Sequence, residues 1–319
     1  MPRKGSPWTG LGVVFAKEFS DHLGSARMRV LEWLVLLTGL AAVYTAIQDM
    51  RALSAQDPFL FLRLFTLSKE PLPSFISLLG FLLPLVAIGL GFDSVNSEFN
   101  NRTMSRILAQ PIYRDALLFG KFLGGLATLA VSLIALWLLI VGIGLVMLGV
   151  PPSGEEIMRG LAFLAAALAY AGVWLAAAIF FSVLFRSAAT SALCALGLWL
   201  LFGLLWPILV PFLSQIIAPS DSMIVLGVPS IEQILLQQNL ARVSPSTLFG
   251  ETVLAILHPT TRALGLVFPS QVQGAIGGTP LPLEQSILLI WPQLTGLLAA
   301  AILLFAAAYI AFQRQEVRA

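Results

Sequence analysis

Long apolar runs interrupted by short polar stretches dominate this chain. Six runs, roughly 30–48, 72–95, 117–149, 157–185, 188–216 and 285–312, are each long enough to cross the hydrocarbon of a bilayer. That layer is about 30 Å thick and a helix rises about 1.5 Å per residue. The third run exceeds this need, so it tilts or extends beyond the bilayer. Residues 7–27 show a different pattern. Trp8, Leu11, Phe15, Phe19 and Leu23 form one stripe, with Lys17, Glu18, Ser20 and Asp21 away from it. Such a helix is expected to lie in the headgroup plane.

The connections are uneven. The segment 49–71 is short and mixed in charge, with Asp57-Pro58 and the pair Pro71 and Pro73 as turn signals. The segment 217–284 is the longest outside the runs. Ile231 to Leu240 and Leu248 to Leu257 read as helices too short to span, punctuated by prolines from Pro229 to Pro282. Ser246-Thr247 is expected to cap the second of them, with Glu251 in its first turn. These short helices lie at the outer surface or are partly re-entrant, since backbone bends at membrane depth only where protein covers it. Pro207 and Pro211 end or kink the fifth run near its outer end. The pattern predicts an all-α integral membrane protein with six transmembrane helices. An N-terminal interfacial helix precedes them, and 1–319 form a single domain.

Composition agrees: 58% of residues are hydrophobic, 11% charged and the mean hydropathy is +0.91, against about 25% charged in soluble domains. The lone Cys194 excludes an intrachain disulfide and a Cys-rich metal site. The basic start leads into an amphipathic stretch, unlike a signal peptide. Lys and Arg residues set the orientation. With the N-terminus inside, the inner side holds Arg3, Lys4, Lys17, Arg27, Arg29, Arg102, Arg106, Arg114, Lys121, Arg186, Arg314 and Arg318. The outer side holds Arg51, Arg63, Lys69, Arg159, Arg242 and Arg262, so the count is 12 against 6. Both termini are therefore expected in the cytoplasm.

Catalytic signatures are absent. No G-x-x-x-x-G-K-[ST], G-x-S-x-G or H-E-x-x-H occurs, and Gly120-Lys121 lacks the rest of a phosphate loop. His22 and His258 fall on opposite sides of the expected membrane, and the seven Met residues form no chelating cluster. The reading is a non-enzyme with no cofactor or metal of its own and no nucleic-acid partner. Only Glu32 and Asp93 place a carboxylate within the runs, both near an inner boundary, which weakens an ion-coupled carrier. Gly80, Gly89, Gly91, Gly120, Gly124, Gly125, Gly142 and Gly144 point to close helix packing.

The stretch 96–116 between the second and third runs is short, charged and partly amphipathic. Glu98 to Ala109 reads as one short helix with Arg102 and Arg106 a turn apart and Met104, Ile107 and Leu108 on its apolar side. Pro111 stops it, and Tyr113-Arg114-Asp115 restarts the chain into the third run. Glu98, Thr103, Pro111, Arg114, Gly120 and Lys121 resemble the cytoplasmic motif of ABC-2 type permeases. Arg102 stands where that family usually has Gly, which suggests a regular helix before Thr103. Lys17-Glu18-Phe19-x-Asp21 followed by Arg27 resembles the elbow helix of the NosY-like branch.

The resemblance implies a type V exporter-like permease, as a homodimer or heterodimer, carrying two copies of a separate ABC ATPase that binds ATP and Mg. Glu98, Arg102, Thr103, Arg106, Pro111 and Arg114 would couple to that ATPase, and Lys17, Glu18 and Asp21 would form an elbow contact. Spans two and five would build the dimer seam. The NosY resemblance adds a narrower option, handling a sulfur or copper-related species in nitrous oxide reductase maturation with an outer accessory protein at 217–284. A scaffold or mechanotransmitter is the alternative to transport, and a secondary carrier ranks last. Membrane lipids are partners in every case.

Overall fold

The computed structural model describes residues 8–52, 59–68, 73–110, 112–218, 231–264 and 280–315. Among them the secondary structure is helical, and six helices are long and apolar enough to cross a membrane. Helix α1 (Leu11–Gly24) leads through Ser25 into α2 (Ala26–Ala52), the first span. Helices α4 (Phe75–Gly91), α7 (Arg114–Leu148) and α8 (Gly154–Leu184) form the second to fourth spans, preceded and separated by α3 (Leu60–Thr66), α5 (Asn96–Asn100) and α6 (Met104–Ala109). The fifth span joins α9 (Ala188–Leu200) to α10 (Trp206–Ile217). Helices α11 (Ile231–Ala241) and α12 (Pro245–Leu257) follow, and α13 (Leu283–Arg314) is the sixth span.

Helix α8 is the axis of the bundle. Its apolar window is 78% buried, whereas those of α9–α10 and α13 are each 17% buried, so the outer spans keep broad apolar faces. Its alanine-rich middle lets α4 and α13 approach: Ala166, Ala167, Ala171, Ala176 and Ala178 are fully or almost fully buried. A β-carbon built on Gly91 of α4 would stand 2.8 Å from Ala178 Cβ, which shows how close the two backbones lie. Tyr170 stacks on Phe249 at 4.4 Å between ring centres and hydrogen-bonds the Gly80 carbonyl, tying α8 to α12 and α4.

Several sequence expectations need correction. The segment 49–71 contains a buried helix, α3, whose Phe61, Leu62, Leu64 and Phe65 enter the core. The α12 cap is Ser244, not Ser246-Thr247: its hydroxyl accepts from the Ser246 amide, and Pro245 takes the first helical position, where no amide hydrogen is needed. Glu251 consequently lies beyond the first turn and pairs with Arg242 at 3.0 Å. The irregularity of the fifth span begins ahead of its prolines, in a π-turn at Leu201–Leu205. Pro207 cannot donate to the carbonyl four residues back, that of Gly203, and the wider turn absorbs the conflict. A β-carbon on Gly142 would meet nothing within 4 Å among the described residues, so this glycine packs closely on none of them. Asp57, Pro58, Pro71, Pro229 and Pro269 lie outside the described residues.

Helix α12 and the approach to α13 are bound to the bundle through charge. Arg159 of α8 is fully buried, with its guanidinium 2.9 Å from Glu155, 2.7 Å from the Ile256 carbonyl and 2.5 Å from the Leu281 carbonyl. One planar donor group thus closes the end of α12 and the approach to α13 onto α8. One turn earlier, Ser153 and Glu156 form a reciprocal capping box, and the same Glu156 accepts from the Phe61 amide at 2.8 Å.

Candidate functional site

The segment between the second and third spans is a broken helix rather than a continuous one. After α4 ends, the Val95 and Asn96 amides donate to Ser182 Oγ of α8 at 2.9 and 3.2 Å. Helix α5 then runs only to Asn100, and Arg102 takes a left-handed backbone, φ 54°. The expected regular helix before Thr103 is therefore wrong. Arg102 adopts the conformation for which glycine is the easy choice, at a typical cost of about 1–2 kcal/mol. Helix α6 restarts at Met104, whose side chain is 2% exposed and pins the turn to the core. The side chains of Ile107 and Leu108, and all of Pro111, lie outside the described residues.

Beneath this turn sits a buried charge cluster. Lys121, one of the few charged side chains within an apolar helix, is 3% exposed and places Nζ 2.8 Å from Glu18 and 3.3 Å from Glu98. The Thr103 hydroxyl donates to the other oxygen of Glu98, and its amide to the Glu98 carbonyl at 3.0 Å. A single ammonium thereby joins α1, α5 and α7. Charges removed from water this far are tolerated only when paired and hydrogen-bonded. On the exposed side, Lys17 reaches Glu18 at 3.1 Å and Asp21 at 3.0 Å.

These surroundings act on the neighbouring titrations. Burial pushes the Glu18 carboxyl up, but the adjacent Lys121 and Lys17 ammonium groups outweigh it and hold the group below the usual carboxylate range. For Lys17 the loss of hydration lowers the ammonium, and its pairing with Asp21 and Glu18 more than compensates. His22, half-buried one turn along, is held below the ordinary imidazole value. Burial is the main cause, and the Lys121 charge adds to it against the opposing pull of Glu18 and Asp93.

Two small residues make the arrangement fit. A β-carbon on Gly120 would lie 2.6 Å from Val14, and one on Gly124 would lie 2.9 Å from Glu18 Cβ and 3.3 Å from the Phe19 amide. Positions 14 and 18 of α1 thus meet 120 and 124 of α7 in step, with the helices aligned along the contact. Glu18 belongs to this packed face. Its expected position away from the apolar stripe is incorrect, and Val14 takes the central place instead.

The other side of the turn is held by the loop between α8 and α9. Asn100 Nδ2 donates to the Arg186 carbonyl at 2.9 Å, and the Arg186 guanidinium lies 3.9 Å above the Phe99 ring. Arg114, at the start of α7, donates to the Gln315 carbonyl at 3.0 Å. Of the residues singled out from sequence, Glu98 and Thr103 thus face inward, Arg114 bridges to the chain end and Glu18 is buried. Arg102, Arg106, Lys17 and Asp21 face solvent. Neither Arg102 nor Arg106 makes an ion pair or side-chain hydrogen bond among the described residues. Sequence reasoning missed Ser182 and Arg186, which carry no local signal. Lys121 did carry one, a lysine inside an apolar run that must find a partner.

A family model for ABC-2 family transporter proteins matches residues 13–317. The chain belongs to that family. It is 34% identical over 148 residues to a protein of Pseudomonas aeruginosa named probable ABC transporter permease protein NosY, covering 44% of this chain and 52% of that one. The protein of the same name from Stutzerimonas stutzeri is 30% identical over 148 residues, covering 44% of this chain and 51% of the relative. The matched region is thus about half the length of these curated relatives.

Proposed function

We propose that this chain is the non-catalytic membrane subunit of an ATP-driven exporter and that a separate ABC ATPase seats on the α5–α6 turn. The observation that carries the reading is the turn itself. It is fixed from three sides, by Lys121 of α7, Ser182 of α8 and the Asn100–Arg186 contact, while Arg102 and Arg106 stay exposed. A projection without play moves as a rigid body, so a push on it reaches spans two and three directly. Glu98, Thr103 and Arg114 brace the projection; Arg102 and Arg106 meet the partner. Pro111 belongs to the same segment. Lys17, Glu18 and Asp21 link it to α1, giving the elbow helix a share in the motion.

Two ATPase copies, each with ATP and Mg, and a dimer of permeases complete the assembly under this proposal. The exposed apolar face of the fifth span, with Leu193, Ile208, Phe212 and Ile216, offers the dimer seam together with α4. A cavity of about 410 Å³ opens between α4, α8, the fifth span and α12, lined in part by Ser77, Tyr170, Ser246 and His258. Its mixed lining suits an amphipathic cargo. The sidedness follows the lysine and arginine distribution, with both termini in the cytoplasm of a bacterium and the protein in its inner membrane. A scaffold that signals to an outer accessory protein is the second reading, favoured by the Arg159 ties that make α12 a firm outer platform.

The test is purification of the chain from its native membrane in mild detergent, with mass spectrometry and an ATPase assay. Recovery of a nucleotide-binding subunit, whose hydrolysis separates from transport in the double variant Arg102→Glu and Arg106→Glu, is the expected result. A chain that stays alone and inert to ATP overturns the proposal.

A further inference from the structure

Two carboxylates, Glu32 and Asp93, lie within the apolar runs at the end of the bundle that carries α1, and the structure treats them differently. Asp93 is neutralised by Arg27, with two short contacts of 3.0 and 2.8 Å. Glu32 of α2 has no such partner. Among the described residues it forms no ion pair, and its one hydrogen bond comes from the Ser132 hydroxyl of α7 at 2.7 Å. Arg29, one turn earlier, is exposed and makes no ion pair with it. A carboxylate accepts several hydrogen bonds, so Glu32 retains free acceptor positions.

Glu32 and Ser132 line a groove of about 380 Å³ between α2, α4 and α7. The remaining wall is almost entirely aliphatic, including Leu36, Leu83 and Leu136, and its rim residues Leu23, Val131 and Leu139 are exposed. The groove therefore opens sideways, to where lipid surrounds the bundle. Its depth can be placed along α7, which is 35 residues long. Counting about 20 residues of hydrocarbon back from Leu148 reaches about residue 129. Ser132 and Glu32 then sit about 5 Å inside the apolar boundary on the N-terminal side, within reach of a headgroup.

We propose that this groove holds a lipid with a primary ammonium headgroup, a phosphatidylethanolamine, whose N–H groups donate to Glu32 while an acyl chain lies along Leu36, Leu83 and Leu136. Charge decides the occupant. An anionic headgroup would be repelled by Glu32, and a quaternary ammonium has no N–H to give. A primary ammonium supplies both the opposite charge and the donors, in a medium where such a contact is strengthened.

The test uses the full chain in lipid nanodiscs made of phosphatidylcholine with added phosphatidylethanolamine or phosphatidylglycerol, read by native mass spectrometry of retained lipid and by thermal melting. The expected result is selective retention of phosphatidylethanolamine and a higher melting temperature with it. Glu32→Gln should lower that retention by about tenfold or more, the loss of one charge-assisted contact. Leu36→Trp, which fills the groove and leaves Glu32 in place, should lower it as well, and guards against a folding defect specific to the first variant. Equal retention of the three lipids by the parent chain overturns the proposal, as does selective retention that survives both substitutions.

Discussion

Lys121 and Glu18 stand 103 positions apart in sequence and 2.8 Å apart in the folded chain, where Lys121 also reaches Glu98 at 3.3 Å. The contact makes α1 part of the same rigid unit as the turn between the second and third spans. In water such a pair contributes little. Here both side chains are almost wholly buried, so loss of Lys121 leaves Glu98 without its counter-charge and Glu18 with only the exposed Lys17. Lys121→Met is expected to cost about 3–5 kcal/mol, read as a lowered melting temperature in detergent. The double change of Glu18→Leu with Lys121→Met should recover part of that loss. Additive single losses would show that the two residues do not interact.

Arg102 offers a separation of backbone from charge. Its φ of 54° suits glycine, so Arg102→Gly should leave stability unchanged or raise it by up to about 1 kcal/mol. Arg102→Val should lower it by about 1–2 kcal/mol, because a β-branched residue resists this conformation. If the guanidinium meets the ATPase as proposed, Arg102→Gly also weakens coupling while melting stays high. Full coupling in that variant would remove Arg102 from the proposed contact.

The seam between α1 and α7 has no room for added atoms. Gly124→Leu should drive α1 away from α7, since the Glu18 β-carbon and the Phe19 amide both lie within 3.3 Å of the first added carbon. A loss of about 1–3 kcal/mol is expected from such overpacking. Cysteine crosslinking between α1 and α7 should fall in parallel. Gly142→Leu is the control: no described residue lies within 4 Å of a β-carbon there, and melting should not fall.

His22 predicts a pH response with a definite sign. Its folded value lies below 6.5, so between the two values the unfolded chain binds the proton more readily. Stability is then present above pH 6.5 and declines as pH falls through it. Glu18 acts in a lower window: its depressed value stabilises above the ordinary glutamate range and that contribution is lost only in stronger acid. Melting temperatures between pH 8 and pH 5 should fall, with His22→Gln flattening the slope. A slope unchanged in that variant would assign the response elsewhere.

Arg159 should matter for α12 and the approach to α13 more than for the spans. Arg159→Met leaves the carbonyls of Ile256 and Leu281 without their donor and is expected to cost about 3–5 kcal/mol. Proteolysis of the region from α12 to the start of α13 should quicken before the spans unfold. Simultaneous loss of both would mean that α12 and the bundle melt as one unit.

Much of this architecture was legible in the chain. A run such as 157–185 has no stable state in water and no alternative to helix in lipid, so α8 followed from composition and length alone. Gly120 with Gly124, and the prolines of the fifth span, were also readable as places of close packing or irregular backbone. The two short helices after that span emerged near the residues their apolar periodicity indicated. Helix α3 was not legible, because seven residues carry too little periodicity to separate from a loop. Its identity as a helix comes from packing Phe61 and Leu64 against Gly144 of α7.

For the candidate site the division is sharper. Residue order alone established that a charged segment lies between two spans, that Glu98, Arg102 and Arg106 belong to it, and that Lys121 follows it in the same motif. Which partner it finds depends on the fold. Glu18, Glu98, Ser182 and Arg186 come from four separate parts of the chain, and pairing over such distances leaves no local pattern. The left-handed backbone of Arg102 is likewise a product of the fold. Met104 is anchored in the core and Thr103 is bonded back to Glu98, so the chain must turn where a helix would otherwise continue. Local preference is worth a fraction of a kcal/mol per residue, and the buried contacts on either side of this turn outweigh it.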